Sequence, residues 1–208
     1  MISLFIDTCT SNLIIAVCKD KQILKQLVQK NDTNLSTDFT SYVENLLEEV
    51  NINVRDINKI YVSVGPGSFT GIRVGLTFAK VLAWSLNIPV IPISSLEILA
   101  SGLENKTLVP ILNARRGYVY AGVYDNSLNS IIGDNYVFFG ELQAKMSNYK
   151  DVVYISCDEF DFSVIKPKYQ INKVIEKHFN DLGVNPHSLV PCYLKKTEAE
   201  EKLGAIKC

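Results

Sequence analysis

The stretch "VSVGPGSFTGIRVGLTFAKVLAW", Val62 to Trp84, constrains this chain more than any other. A β-branched run enters a loop holding Gly65, Pro66, Gly67 and Gly71, and a very apolar helix leaves it. Along that helix Gly71, Gly75, Ala79 and Ala83 recur at every fourth position. They form one ridge with almost no side-chain bulk, over which another backbone can approach closely. Val74, Leu76, Phe78, Val81, Leu82, Trp84 and Leu86 make the other faces apolar. A helix that is apolar all round has to be covered on all sides. Each helical glycine costs ~0.5–1 kcal/mol relative to alanine, so close packing must compensate. Two arrangements satisfy this. Either the helix lies between its own sheet and a neighbouring helix, or it packs on its sheet by one face and on a partner protein by another.

The loop itself fails the catalytic and nucleotide motifs it superficially suggests. A P-loop needs G-x-x-x-x-G-K-[ST], and Ile72 stands where its lysine should be. The G-x-G-x-x-x-G spacing after a strand approaches a dinucleotide fingerprint, but "SLNIPVIPIS" supplies no acid for the ribose. A nucleophile elbow needs glycines two residues either side of the serine, and around Ser68 those places hold Pro66 and Thr70. Gly65, Pro66, Gly67, Ser68 and Thr70 therefore read as a structural corner, with Ser68 or Thr70 capping the helix.

The chain has 208 residues, enough for one large domain or two small lobes. It is 47% hydrophobic and 21% charged, with a net charge of −1, so no broad electrostatic footprint for nucleic acid is present. "ARRG" and "LKK" are local basic exceptions. No apolar stretch reaches the ~20 residues of a membrane span, and "ISLFIDT" lacks the basic start of a signal peptide. Cys9, Cys18, Cys157, Cys192 and Cys208 are scattered without a C-x-x-C pair. That pattern indicates reduced thiols in a cytoplasmic protein. His178 and His187 are the only histidines, too far apart for a helical metal pair, so no metal site and no cofactor are expected.

Along the chain, "ISLFIDT", "NLIIAVCKD" and "KQILKQLVQK" read as three strands of an antiparallel meander, the last two joined at "KDK". Phe39, Tyr42, Val43, Leu46, Leu47 and Val50 then follow the period of a helix, with Ser36, Thr37 or Asp38 as its cap. "IYVSV" is a buried strand, "IPVIPI" a short one, and "SSLEILAS" opens a helix capped by Ser94 or Ser95. The polar "GLENKT" suggests a boundary, giving lobes 1–103 and 104–208. After it "LVPILNA", "GYVYAGVYD" and "YVFFG" read as strands, then "DVVYISC" and "YQINKVIEKHF" as a strand and a helix. The second half looks like a reduced copy of the first.

"GPGSFTGIRVGLTFAKVLAW" resembles the bacterial TsaB (YeaZ) proteins of tRNA threonylcarbamoyladenosine synthesis. "LFIDTCTSNLIIAV", "IPVIPISSLEILA", "LNARRGYVYAGVY" and "VPCYLKK" are similar to further stretches along the same family. Asn113 stands where an aspartate is common, and the part between "FFGELQ" and "HSLVP" is shortened. The resemblance implies a two-lobed α/β fold of the actin-like, sugar-kinase-like (ASKHA) class built from repeated βββαβα units. It also implies a non-catalytic subunit that pairs with a TsaD homologue and the ATPase TsaE; a homodimer is open to the chain when it is alone, and its oligomeric state in isolation is not set by the sequence. The relative TsaD carries two metal-binding histidines on its first lobe helix, and "STDFTSYVENLLEEV" has none. On this reading the partner face is made by Phe39, Val43, Leu46, Gly71, Val74, Gly75, Phe78, Ala79 and Ala83. Contacts with tRNA are expected mainly through the complex. Asp7 reads as a strand-end residue bonding nearby backbone, because "DTCTSN" lacks the glycine that admits a phosphate. The competing reading is a free-standing actin-like ATPase or a glycoprotease-like peptidase.

Overall fold

The computed structural model describes residues 1–31 and 35–195. The first half runs β1 (Ile2–Asp7), β2 (Asn12–Lys19), β3 (Gln22–Lys30), α1 (Leu35–Glu49), β4 (Ile57–Ser63), α2 (Phe69–Leu86), β5 (Val90–Ile93) and α3 (Ser95–Ala100). The second runs β6 (Thr107–Asn113), β7 (Tyr118–Tyr124), β8 (Ser130–Phe138), α4 (Phe139–Met146), β9 (Val152–Ile155) and α5 (Ile171–His178). The sheets are ordered β3-β2-β1-β4-β5 and β8-β7-β6-β9. In each, an antiparallel meander is extended by a parallel strand reached through a helical crossover. The βββαβα unit thus occurs twice with the same strand order, which is the two-lobed actin-like architecture.

Local chemistry sets the joints. The β2–β3 turn closes with Asp20 in the left-handed region, where a short polar side chain is tolerated. Ser68, not Thr70, caps α2, its hydroxyl accepting from Gly71 N at 3.2 Å. Ser94, not Ser95, caps α3, while the Ser95 hydroxyl donates to the Pro66 carbonyl. Helix α1 already starts at Leu35, so Ser36, Thr37 and Asp38 sit in its first turn, and its cap position lies outside the described residues. "YVFFG" is strand only as far as Phe138. Phe139 and Gly140 open α4, a helix that no periodicity in the sequence announces.

Both faces of the first sheet are covered, so β1 is a nearly continuous apolar run rather than an alternating one. Leu4, Ile6, Leu13, Ile15, Ile60 and Val62 pack under α1 and α2. Phe5, Ile14, Tyr61 and Ile91 face the other way, against α3 and α5, in a layer that Leu108, Leu112 and Tyr124 of the second sheet complete. A third cluster packs Val109, Ile111 and Val119 on Leu142 and Met146 of α4. After α5 the chain crosses back to the first sheet. Val184 bridges Val90, Lys80 Nζ donates to the Leu189 carbonyl at 2.9 Å, and Cys192 N donates to the Val64 carbonyl at 2.8 Å.

Candidate functional site

The small-residue ridge of α2 faces the protein's own sheet. Gly71, Gly75, Ala79 and Ala83 are all buried. A methyl at Gly71 would collide with the Thr8 carbonyl oxygen, and one at Gly75 with the Thr8 hydroxyl oxygen. That hydroxyl donates to the Gly71 carbonyl at 2.7 Å, so the strand-end threonine occupies the space the glycines leave open. The expectation that the ridge itself meets a partner is therefore corrected: these four residues are buried in the protein's own core, Gly71 and Gly75 directly against Thr8. Phe39, Val43 and Leu46 of α1 are likewise buried in the core. The expected helix pair exists, but its contact faces inward.

What α2 turns outward is the opposite side. Each residue advances ~100° around the helix, so two positions from the ridge lies the far face. Arg73, Thr77, Val81 and Ser85 form it, and all four are exposed. Val74, Phe78 and Leu82 flank them half-buried, with Phe78 edge-on to Phe39 at 4.9 Å. Together with Ser36 and Thr40 of α1 these residues line a mostly apolar groove of about 570 Å³. The returning C-terminal segment guards its other flank. Tyr193 stacks on Phe69 at 5.6 Å, and the Arg73 guanidinium lies 3.8 Å from the Phe69 ring centre. Val81 and Trp84 are 61% and 65% exposed. Of the residues expected at a partner face, Phe39, Val74 and Phe78 line the groove. Thr77, Val81 and Ser85 lie outside that expectation although their four-residue spacing opposite the glycines is legible, and so does Leu82 on their flank.

A second concavity, about 840 Å³, separates the lobes. Thr10, Ser11, Asn31, Ser68, Thr70, Asn113, Arg115, Tyr120, Asp158 and Lys195 are among its walls. The glycine loop forms part of this cleft's wall and is packed from beneath. Gly67 is pressed against the Cys9 carbonyl, and Ser68 N donates to that same oxygen at 2.7 Å. Beneath the loop Asp7 Oδ1 accepts from Ser63 Oγ at 2.6 Å and from Cys9 N at 2.9 Å, and Ser63 Oγ lies 3.0 Å from Cys9 Sγ. This is the strand-end role read for Asp7. Burial raises its pKa against the pull of the Ser63 and Cys9 bonds. Burial, reinforced by the Asp7 charge, also pushes the Cys9 thiol well up, away from the nucleophilic thiolate. Among the described residues, no three of His, Cys, Asp and Glu are grouped to hold a metal ion. No described helix is long and apolar enough to cross a membrane.

Residues 23–199 match a family model described as TsaD, tRNA N6-adenosine threonylcarbamoyltransferase. The tRNA threonylcarbamoyladenosine biosynthesis protein TsaB of Bacillus subtilis (strain 168) is 33% identical over 223 residues, covering 97% of each chain. The tRNA N6-adenosine threonylcarbamoyltransferase of Clostridioides difficile (strain 630) is 40% identical, but over only 70 residues, 33% of this chain and 21% of that one. Among solved structures, YeaZ from Pseudomonas aeruginosa superimposes with a TM-score of 0.77 over 93% of this chain and 99% of its own, at 19% identity. A structure described as an uncharacterized protein with similarity to peptidase YEAZ, from the same organism, gives 0.79 over the same shares. These superpositions show the fold.

Proposed function

The chain belongs to the TsaB family of tRNA threonylcarbamoyladenosine biosynthesis proteins, and from that premise we propose that it acts as a non-catalytic subunit pairing with a TsaD homologue. The observation that carries this reading is the groove between α1 and α2. Large apolar side chains rimmed by Arg73, Thr40 and Ser85 mark a surface for a protein partner rather than a small solute. Helix α2 is held on the sheet by the Thr8–Gly71 hydrogen bond, so its outer face is ordered before it binds, which lowers the ordering cost of association. The TsaD homologue seats on this face, and a TsaE homologue joins as the ATPase. The assembly transfers a threonylcarbamoyl group from its adenylate to N6 of adenosine 37 in tRNAs that read codons beginning with A. The chain works in the cytoplasm, without membrane or cofactor, and in the absence of its partner the same face pairs two copies. Most tRNA contacts come through the complex.

The peptidase alternative draws on a hydroxyl and a thiol linked to a carboxylate, Ser63, Cys9 and Asp7. All three are fully buried, out of a peptide's reach, and His178, the histidine with side-chain partners, is bonded to Glu97 and Asp181 instead. The proposal is tested by reconstitution. Threonylcarbamoyl adenylate, tRNA and the TsaD and TsaE homologues should give multiple rounds of modification only when this chain is added. Full activity without it, or turnover of ATP or peptide by this chain alone, would refute the reading.

A further inference from the structure

The inner face of the second sheet carries aromatic rings that its core does not use up. Tyr118 and Tyr120 of β7 stand opposite Phe138 and Tyr136 of β8, so four rings share one face. Tyr118 and Tyr136 stack at 4.7 Å with planes 9° apart, and Phe138 meets Tyr118 edge-on at 5.5 Å. Tyr120 opens into the interlobe cleft, while Tyr118 and Phe138, farther out, are 37% and 45% exposed. Cross-strand aromatic pairing explains why the hairpin is stable. It does not explain the charges at its end. The β6–β7 turn presents Arg115 and Arg116, both exposed and both in the left-handed region, at φ 68° and 55°. Asn113 Oδ1 fixes that turn by accepting from Arg115 N at 2.8 Å. Lys195 Nζ lies 5.5 Å from the centre of the Tyr136 ring. None of these three cations forms an ion pair with a described residue. On a chain whose net charge is −1, three cations without an ion pair stand beside exposed rings, and the carboxylate that lines the cleft with Arg115 and Lys195, Asp158, accepts from Asn113 N at 2.7 Å.

We propose that this strip is a stacking platform for unpaired nucleotides of an RNA. Bases lie on the exposed ring surfaces of Tyr118 and Phe138, and phosphates meet Arg115, Arg116 and Lys195. Aromatic rings interleaved with cations suit single-stranded segments, whose splayed bases offer ring faces that a duplex withholds. The proposal rests on the reading of this chain as a subunit serving an RNA substrate, and it gives the second lobe a direct share in holding that RNA.

The test titrates a fluorescently labelled RNA hairpin with a single-stranded loop, and a fully paired RNA duplex, against the full chain alone and with the TsaD homologue. The hairpin should bind more tightly than the duplex. Replacing both Tyr118→Leu and Phe138→Leu should weaken the hairpin by about tenfold. Replacing Arg115→Gln and Arg116→Gln should reduce the slope of log affinity against log salt by about 0.7 for each phosphate the variant no longer neutralises. This second pair keeps the test decisive if the ring variant folds poorly. Both variants should still bind the TsaD homologue. Unchanged hairpin affinity and salt slope in the arginine variant would overturn the proposal, as would equal weakening of hairpin and duplex in the ring variant. Loss of the TsaD homologue with RNA binding intact would make the strip a protein interface and overturn it too. Failure of the unaltered chain to bind the TsaD homologue counts against the proposed function alone, since the RNA titration of the isolated chain is read separately.

Discussion

Gly71 and Gly75 are glycines because Thr8 needs their space. Gly71→Ala would drive a methyl into the Thr8 carbonyl, a backbone atom that cannot swing aside. Overpacking of this kind costs ~1–3 kcal/mol and sometimes more. In a chain of this length each kilocalorie lowers the melting temperature by about 2–4 °C, so a thermal melt of the variant should show a loss of several degrees. The four-residue spacing was legible from sequence, but its direction was not, because Thr8 lies 63 residues away from Gly71. Glu97 and His178 are a second case of pairing that no local pattern announces. His178 Nε2 lies 2.8 Å from Glu97 Oε1, its Nδ1 lies 2.7 Å from Asp181 Oδ2, and Lys177 Nζ lies 2.9 Å from Glu97 Oε2. Burial opposes charge on the imidazole, but the bonds to Glu97 and Asp181 outweigh it and raise its pKa above the ordinary 6.5. A raised folded-state pKa means stability that is complete below the unfolded value and lost as pH rises through the folded one. The melting temperature should therefore fall as pH rises above the ordinary histidine value of 6.5, and Glu97→Gln should flatten that dependence. A melting temperature that rises over this range would contradict the assignment.

Helices α1 and α2 were readable because long, strongly periodic segments declare themselves, whereas α4 did not. It has 8 residues, buries only Leu142 and Met146, and begins without a side-chain cap. Its Phe139 continues the apolar run of β8, so the period changes where the composition does not. The groove was half legible for a related reason. Periodicity shows that a helix has stripes, but which stripe stays bare depends on the segment returning past Leu189 and Tyr193, more than 100 positions from α2. Neighbouring positions on α2 should consequently behave very differently. Leu76→Ala, in the core, should cost ~2–5 kcal/mol in denaturant unfolding. Thr77→Ala, on the exposed face, should change stability by no more than about 0.5 kcal/mol. Similar losses at both sites would mean that the helix is rotated from the orientation described.

At the scale of the whole molecule the proposed lobes, 1–103 and 104–208, share structure across their boundary. The polar "GLENKT" stretch marks where one sheet stops and the next begins, and that much was visible in composition. The return of the chain after α5 was not, since Val184 pairing with Val90 and Cys192 with Val64 leaves no short-range signal. A fragment ending at residue 103 would lack α5 and uncover the face that carries Phe5, Ile14 and Tyr61. It should show no cooperative unfolding by circular dichroism, whereas the full chain should. The central claim is that the bare face of α2 is where this subunit meets its partner, and Val81 is the residue that separates it from every structural role. Binding of the TsaD homologue to Val81→Glu, measured by titration calorimetry alongside the melting temperature of the same protein, is the most direct test. The account predicts an unaltered melting temperature and affinity reduced at least about tenfold, because a carboxylate would be desolvated without a partner. A stable Val81→Glu protein that binds the TsaD homologue as tightly as the unaltered chain would contradict it.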